Sequence, residues 1–160
     1  MRRLLIVWHS LTGGSEQMAR AAGDAGNEVA VILKRAREAG PDDLLAADGY
    51  LFACPENLAS MAGAMKDFFD RSYYPVLERI EGRPYASMIC AGSDGEGTAR
   101  QMARIATGWR LKAIAEPLIV CTHVQTPEAI LAPKTIGEAD LARCRELGAT
   151  MAAGLAMGIF

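Results

Sequence analysis

The chain has 160 residues, of which 51% are hydrophobic and 22% charged, with a formal net charge of -2. That is long enough to bury about two-thirds of the surface the unfolded chain exposes. The composition excludes a disordered or fibrous chain, and a pI near 5.7 excludes the basic footprint of a nucleic-acid binder. The longest apolar stretches, residues 4–8 and 118–121, fall far short of the roughly 20 residues a bilayer span needs. Met1-Arg2-Arg3 lacks the longer apolar run and small-residue cleavage site of a secretory signal, so a cytoplasmic protein is expected.

In chain order, residues 4–8 (Leu-Leu-Ile-Val-Trp) form a continuous apolar run, as a strand covered on both faces requires. A helical period follows over 15–25, with Ser15 as the expected N-cap and Met18, Ala19 and Ala22 on one side. Gly26-Asn27 signals a turn into a second strand at 28–33. Pro41 opens a short helix over 41–46. A third strand is expected at 49–54, stopped by Pro55, and then a helix over 61–73 with an apolar stripe of Met61, Ala64, Met65, Phe68 and Phe69. The breaker pair Arg83-Pro84 precedes a fourth strand at 85–91; a helix over 98–107 is expected to stop at Gly108. The fifth strand, within 113–120, contains Pro117 and therefore belongs on a sheet edge. An Ala-rich helix over 138–155 ends the pattern.

This alternation predicts an α/β doubly wound parallel sheet of five strands in the order 2-1-3-4-5, with helices on both faces. Residues 1–160 are expected to form one domain. Ligands of such sheets bind beyond the C-terminal strand ends, where the winding reverses. That directs attention to the loops after strands one, three and four.

In the first loop, His9-Ser10-Leu11-Thr12-Gly13-Gly14-Ser15, two glycines, three hydroxyls and a following helix N-terminus can gather donors around a phosphate dianion. Neither G-x-x-x-x-G-K-[ST] nor G-x-G-x-x-G is present, so it is neither a P-loop nor a Rossmann loop. The second loop, Pro55-Glu56-Asn57-Leu58-Ala59-Ser60, offers backbone groups to the edge of a planar ring, or is an ordinary connection capped by Ser60. The third, Ala91-Gly92-Ser93-Asp94-Gly95-Glu96-Gly97, lets backbone approach a ligand closely, while Asp94 and Glu96 make it unsuited to phosphate. The cysteines, Cys54, Cys90, Cys121 and Cys144, form no C-x-x-C pair and read as buried small side chains rather than zinc ligands or a disulfide framework. His9 and His123 lie just beyond strands, and Arg100, Arg104 and Arg110 read as a solvated helix face; Trp109 reads as core.

Ser10-Leu11-Thr12-Gly13-Gly14-Ser15 resembles the flavodoxin phosphate motif [ST]-x-T-G-x-[ST]. Pro55, Met61, Met65-Lys66, Phe68 and Asp70 resemble the matching region of the WrbA-type NAD(P)H:quinone oxidoreductases and NADPH-dependent FMN reductases. The resemblance runs from end to end and implies a flavodoxin-like fold with FMN as cofactor. It implies phosphate binding by residues 10–15, with 55–60 and 91–95 on either side of the isoalloxazine. It further implies an NAD(P)H-dependent oxidoreductase reducing a quinone, a flavin or a similar small acceptor, and a homo-oligomer, dimer or tetramer. Gly95 stands where the quinone-reductase group has histidine, and Asn57 where it has arginine, so the acceptor stays open. A flavodoxin-type electron carrier serving a protein partner and a non-redox domain for another phosphate-bearing ligand are the alternatives.

Overall fold

A computed structural model describes residues 1–160. Its centre is a parallel sheet whose main strands are β1 (Arg3–Trp8), β2 (Ala30–Arg35), β3 (Gly49–Asn57) and β5 (Pro84–Ala91). The fifth position is shared by two pieces, β6 (Lys112–Ala113) and β7 (Leu118–Cys121), both parallel to β5. The order β2-β1-β3-β5-β6/β7 is the expected 2-1-3-4-5 winding. The fifth strand does lie on an edge, and Pro117 falls in the gap between its two pieces.

Two-residue alternation decides which side chains reach which face. Leu4, Ile6 and Trp8 of β1, Leu51 and Ala53 of β3, and Ala86, Met88 and Cys90 of β5 face α1 (Gly14–Gly23) and α6 (Glu138–Met157). Leu5, Val7, Tyr50, Phe52, Cys54 and Tyr85 face α2 (Pro41–Ala46), α3 (Gly63–Val76) and α4 (Glu96–Gly108). On the first side, small residues bring the helices close: a Cβ on Gly148 of α6 would land on the backbone of Ala22 in α1. The second side is aromatic. Phe52, Phe68, Phe69 and Trp109 are packed ring to ring, and Trp109, fully buried as expected, donates its Nε1–H to Tyr73 O at 3.0 Å.

Several expected boundaries move. The second strand begins two residues later and continues through Lys34 and Arg35, which register opposite Val7 and Trp8. The third does not stop at Pro55. β1 ends opposite Ala53, so the missing proline N–H breaks no bond on that side, and Pro55 still registers with Cys90 of β5. The chain then turns back as β4 (Ser60–Met61), pairing antiparallel with Glu56 and Asn57. Met61 is therefore a strand residue, and the helix starts at Gly63. Ser15 is not an N-cap: Gly13 occupies that position with φ 96°, and Ser15 lies inside the helix. Gly108 is the last helical residue rather than a left-handed stop; Arg110 adopts the positive φ. Glycine is needed at 108 because the Tyr73 hydroxyl sits where a Cβ would go. A short α5 (Pro127–Leu131), unforeseen from periodicity, interrupts the return from β7 to α6. No helix is long and apolar enough to cross a membrane.

Candidate functional site

The C-terminal strand ends open into a cavity of about 640 Å³, inside the range of about 300–1,000 Å³ typical of ligand sites. The three expected loops converge on it. Leu11 and Thr12 come from the first, Pro55, Glu56, Asn57, Leu58 and Ala59 from the second, and Ala91, Gly92 and Ser93 from the third. Ser60, Asp94, Gly95, Gly13, Gly14 and Ser15 do not line it, while Ser10 lines a smaller cavity with Trp8 and His9.

The first loop is a nest of free donors. Gly13 N donates to Ser10 Oγ at 3.0 Å, folding the loop back on itself. Beyond it the N–H groups of Gly14, Ser15 and Glu16 open α1 and have no acceptor within the helix. Ser15 is 2% exposed, and its Oγ is buried without a hydrogen-bond partner. An orphaned buried hydroxyl among free N–H groups at a helix N-terminus is the donor set a phosphate satisfies.

The second loop is a tight hairpin. Leu58 and Ala59, at φ 51° and 63°, form its two-residue turn, and Leu58 is fully exposed at the cavity mouth. Left-handed backbone at non-glycine residues is strained. The hairpin is held from behind by α4. Glu56 Oε1 accepts from Gly95 N at 2.8 Å and Oε2 from Thr98 N at 3.0 Å, so its carboxylate caps the helix N-terminus. Gln101 adds a second tie, accepting from Met61 N at 2.8 Å and donating to Ser60 Oγ at 2.9 Å.

The third loop owes its path to glycine. Gly95 has φ 96°, and a Cβ there would come within 2.7 Å of Ile119 Cγ2. A histidine here would strain the backbone and displace the Ile119 side chain. The loop is joined to the extension of β7, since Thr122 N and His123 N donate to Ala91 O and Gly92 O at 2.9 and 2.8 Å. Asp94 turns inward on its own loop, accepting from Glu96 N at 3.2 Å.

The far wall was missed in the sequence. Thr122, Val124, Gln125, Ile130, Leu131 and Lys134 line the cavity. A local signal existed: Thr126 followed by Pro127 is an N-cap with proline at the first helical position, and Thr126 Oγ1 accepts from Ala129 N. What the sequence does not display is that residues 134–136 return to the phosphate loop. Lys134 N donates to Thr12 O at 2.8 Å; Gln17 Nε2 donates to Gly13 O and Lys134 O, and Gln17 Oε1 accepts from Ile136 N.

Among the titratable groups nearby, burial first and the positive charge of Arg37 second hold His9 below its ordinary pKa. Burial pushes the Cys90 thiol up, partly opposed by Lys134, and burial raises Cys54 to about 12. These thiols are protonated packing groups rather than nucleophiles.

Sheet order, crevice and donor nest together define a flavodoxin-like fold with a cavity at the C-terminal strand ends and free N–H groups in a loop that lines it. The sequence profile of the family described as NADPH-dependent FMN reductase matches residues 17–123, and the chain belongs to that family. Membership of that family supports a flavodoxin-like, FMN-binding flavoprotein. An NAD(P)H dehydrogenase (quinone) of Acidithiobacillus ferrooxidans is 33% identical over 45% of this chain and 48% of its own length. The chain spans about half the length of the curated relatives it matches. Among solved structures, a flavodoxin from the domain Archaea superposes with a TM-score of 0.76 at 18% identity, covering 96% of this chain and 98% of that one. A WrbA-like flavodoxin from Agrobacterium tumefaciens gives 0.71 at 20% identity, covering 99% of both chains. At these identities the superpositions speak for the fold.

Proposed function

We propose that the protein is an NAD(P)H-dependent FMN oxidoreductase that delivers electrons to a quinone, a flavin or a similar small acceptor. The observation that carries this reading is a donor nest, with the buried unpartnered Ser15 Oγ, in the loop whose Leu11 and Thr12 line a cavity of about 640 Å³ at the C-terminal strand ends. Bound FMN would supply the redox chemistry, taking two electrons from a nicotinamide and returning them to the acceptor. The protein's part is binding, orientation and exclusion of water.

Residues 10–15 would hold the phosphate through the N–H groups of Gly14 and Ser15 and the hydroxyls of Thr12 and Ser15. Residues 55–59 and 91–93 would enclose the ring, with Gly92 leaving backbone free to approach its edge. No side chain on the cavity wall is placed as a general acid or base, and hydride transfer from nicotinamide requires none.

The experiment is reconstitution of the purified protein with FMN, followed by anaerobic mixing with NADPH or NADH. Stoichiometric uptake and bleaching of the flavin absorbance by at least one nicotinamide are expected. A protein that takes up no FMN overturns the reading. Thr12→Glu and Ser15→Glu are each expected to weaken FMN binding at least 100-fold, equivalent to about 2.7 kcal/mol, because a carboxylate would face the phosphate; unchanged affinity removes the nest from the site.

A second reading, an electron-transfer module serving a protein partner, is favoured by the exposed apolar rim of Leu11, Leu58, Ile130 and Leu131 at the cavity mouth. It predicts tight FMN binding with negligible direct oxidation of NAD(P)H, so the same mixing experiment separates the two.

A further inference from the structure

The cavity wall carries one acidic and one basic side chain, Glu56 and Lys134. They are not equivalent. The Glu56 carboxylate is engaged by two N–H groups at the start of α4 and is balanced by that helix terminus. The Lys134 ammonium is held only by neutral carbonyls, donating to Ile130 O at 2.8 Å and Ala132 O at 2.5 Å. Lys134 takes part in none of the chain's ion pairs. It is half-buried, and its main chain is pinned by Thr12 O and Gln17 Nε2, so the stem starts from a fixed point. The cavity wall therefore carries one cationic side chain without a carboxylate partner.

Lys134 lies on the wall of the cavity read as the ring site, with its main chain against Thr12 and its head turned towards Ile130. Resting on the reading of the cavity as an FMN site, we infer that Lys134 offsets the negative charge a flavin ring acquires on two-electron reduction. Transfer of two electrons and one proton from NAD(P)H, which leaves NAD(P)⁺, adds one negative charge to a bound flavin ring. A fixed cation in a partly dehydrated cavity favours that charged product over the neutral oxidised ring. It raises the midpoint potential without a new contact to the oxidised form.

The test compares the wild-type protein with Lys134→Met, which keeps the stem, and Lys134→Arg, which keeps the charge. Three quantities are read: the affinity for oxidised FMN, the affinity for riboflavin, and the two-electron midpoint potential from dithionite titration against a reference dye. Lys134→Met is expected to bind oxidised FMN and riboflavin within about twofold of wild type. It should lose about tenfold of the preference for reduced over oxidised FMN, a fall of about 30 mV in potential; Lys134→Arg should retain it. A Lys134→Met variant that binds FMN more weakly with riboflavin unchanged would show the lysine serving the phosphate and overturn the inference. An unchanged potential reduces Lys134 to a cap on α5 and overturns it too. Should Lys134→Met unfold, Lys134→Gln removes the charge in its place, and an unchanged potential in that variant overturns the inference. Failure of the wild-type protein to bind FMN at all removes the underlying reading, which is a different observation from a bound flavin with an unmoved potential.

Discussion

Glu56 lines the cavity yet contributes little charge to it, because its carboxylate caps α4. Its place in the second loop was legible in the sequence; its partners at residues 95 and 98 were not, since no local pattern connects a loop to a helix start 39 residues on. Glu56→Ala should lower stability by about 1 kcal/mol, the ordinary loss of a helix cap, read as a lower urea midpoint with an unchanged slope; an unaltered midpoint would dissociate the hairpin from α4. Ser15 is the reverse case. Its residue type was right for a helix start, but the left-handed Gly13 takes the cap position and leaves the serine hydroxyl free for another acceptor. His9 carries a pH signature. Burial and Arg37 depress its folded pKa below 6.5, so between the two values the unfolded chain binds more protons. The stability it contributes is complete above 6.5 and is lost as the pH falls from there through the folded pKa. A urea-midpoint difference between pH 7.5 and 5.5 should be smaller in His9→Gln than in wild type, and equal differences would refute the assignment.

At the scale of elements, the strands were readable because β1, β3 and β5 are continuous apolar runs bounded by turn residues and prolines, and the long helices because apolar residues recur at helical spacing. The hairpin of β3 and β4 was not. Asn-Gly is the usual signature of its two-residue turn, and Leu58-Ala59 conceals it. That mismatch is also a measurable reserve of strain. Ala59→Gly relieves one left-handed non-glycine residue and is expected to raise stability by roughly 1 kcal/mol, seen as a higher urea midpoint. A decrease would mean that the loop's conformation is not strained as the backbone angles indicate. Strain at the mouth of a ligand cavity, held down by Glu56 and Gln101 from behind, keeps Leu58 projecting where an incoming acceptor would meet it.

At the scale of the whole molecule, order and class of the fold followed from alternation of strand and helix, while the far wall of the cavity, six of its 17 lining residues, did not. Residues 122–136 have neither period, and only the Thr126-Pro127 cap hints at structure there. Their role appears when α6 is packed on α1, with Gly148 against Ala22, because that contact brings the chain preceding α6 alongside the start of α1. Lys134 thus comes to the cavity through a helix pairing made elsewhere.

The Gln17 side chain gives that arrangement a thermodynamic character. One amide, through Gly13, Lys134 and Ile136, spans sequence separations of 117 and 119 residues. With the Lys134 N–Thr12 O bond, this amide latches the first loop to the lysine wall. Neither can fray alone without breaking bonds to the other, so they belong to one cooperative unit. Anything that binds the nest lowers the opening rate of the wall, and the cavity forms or dissolves as a whole.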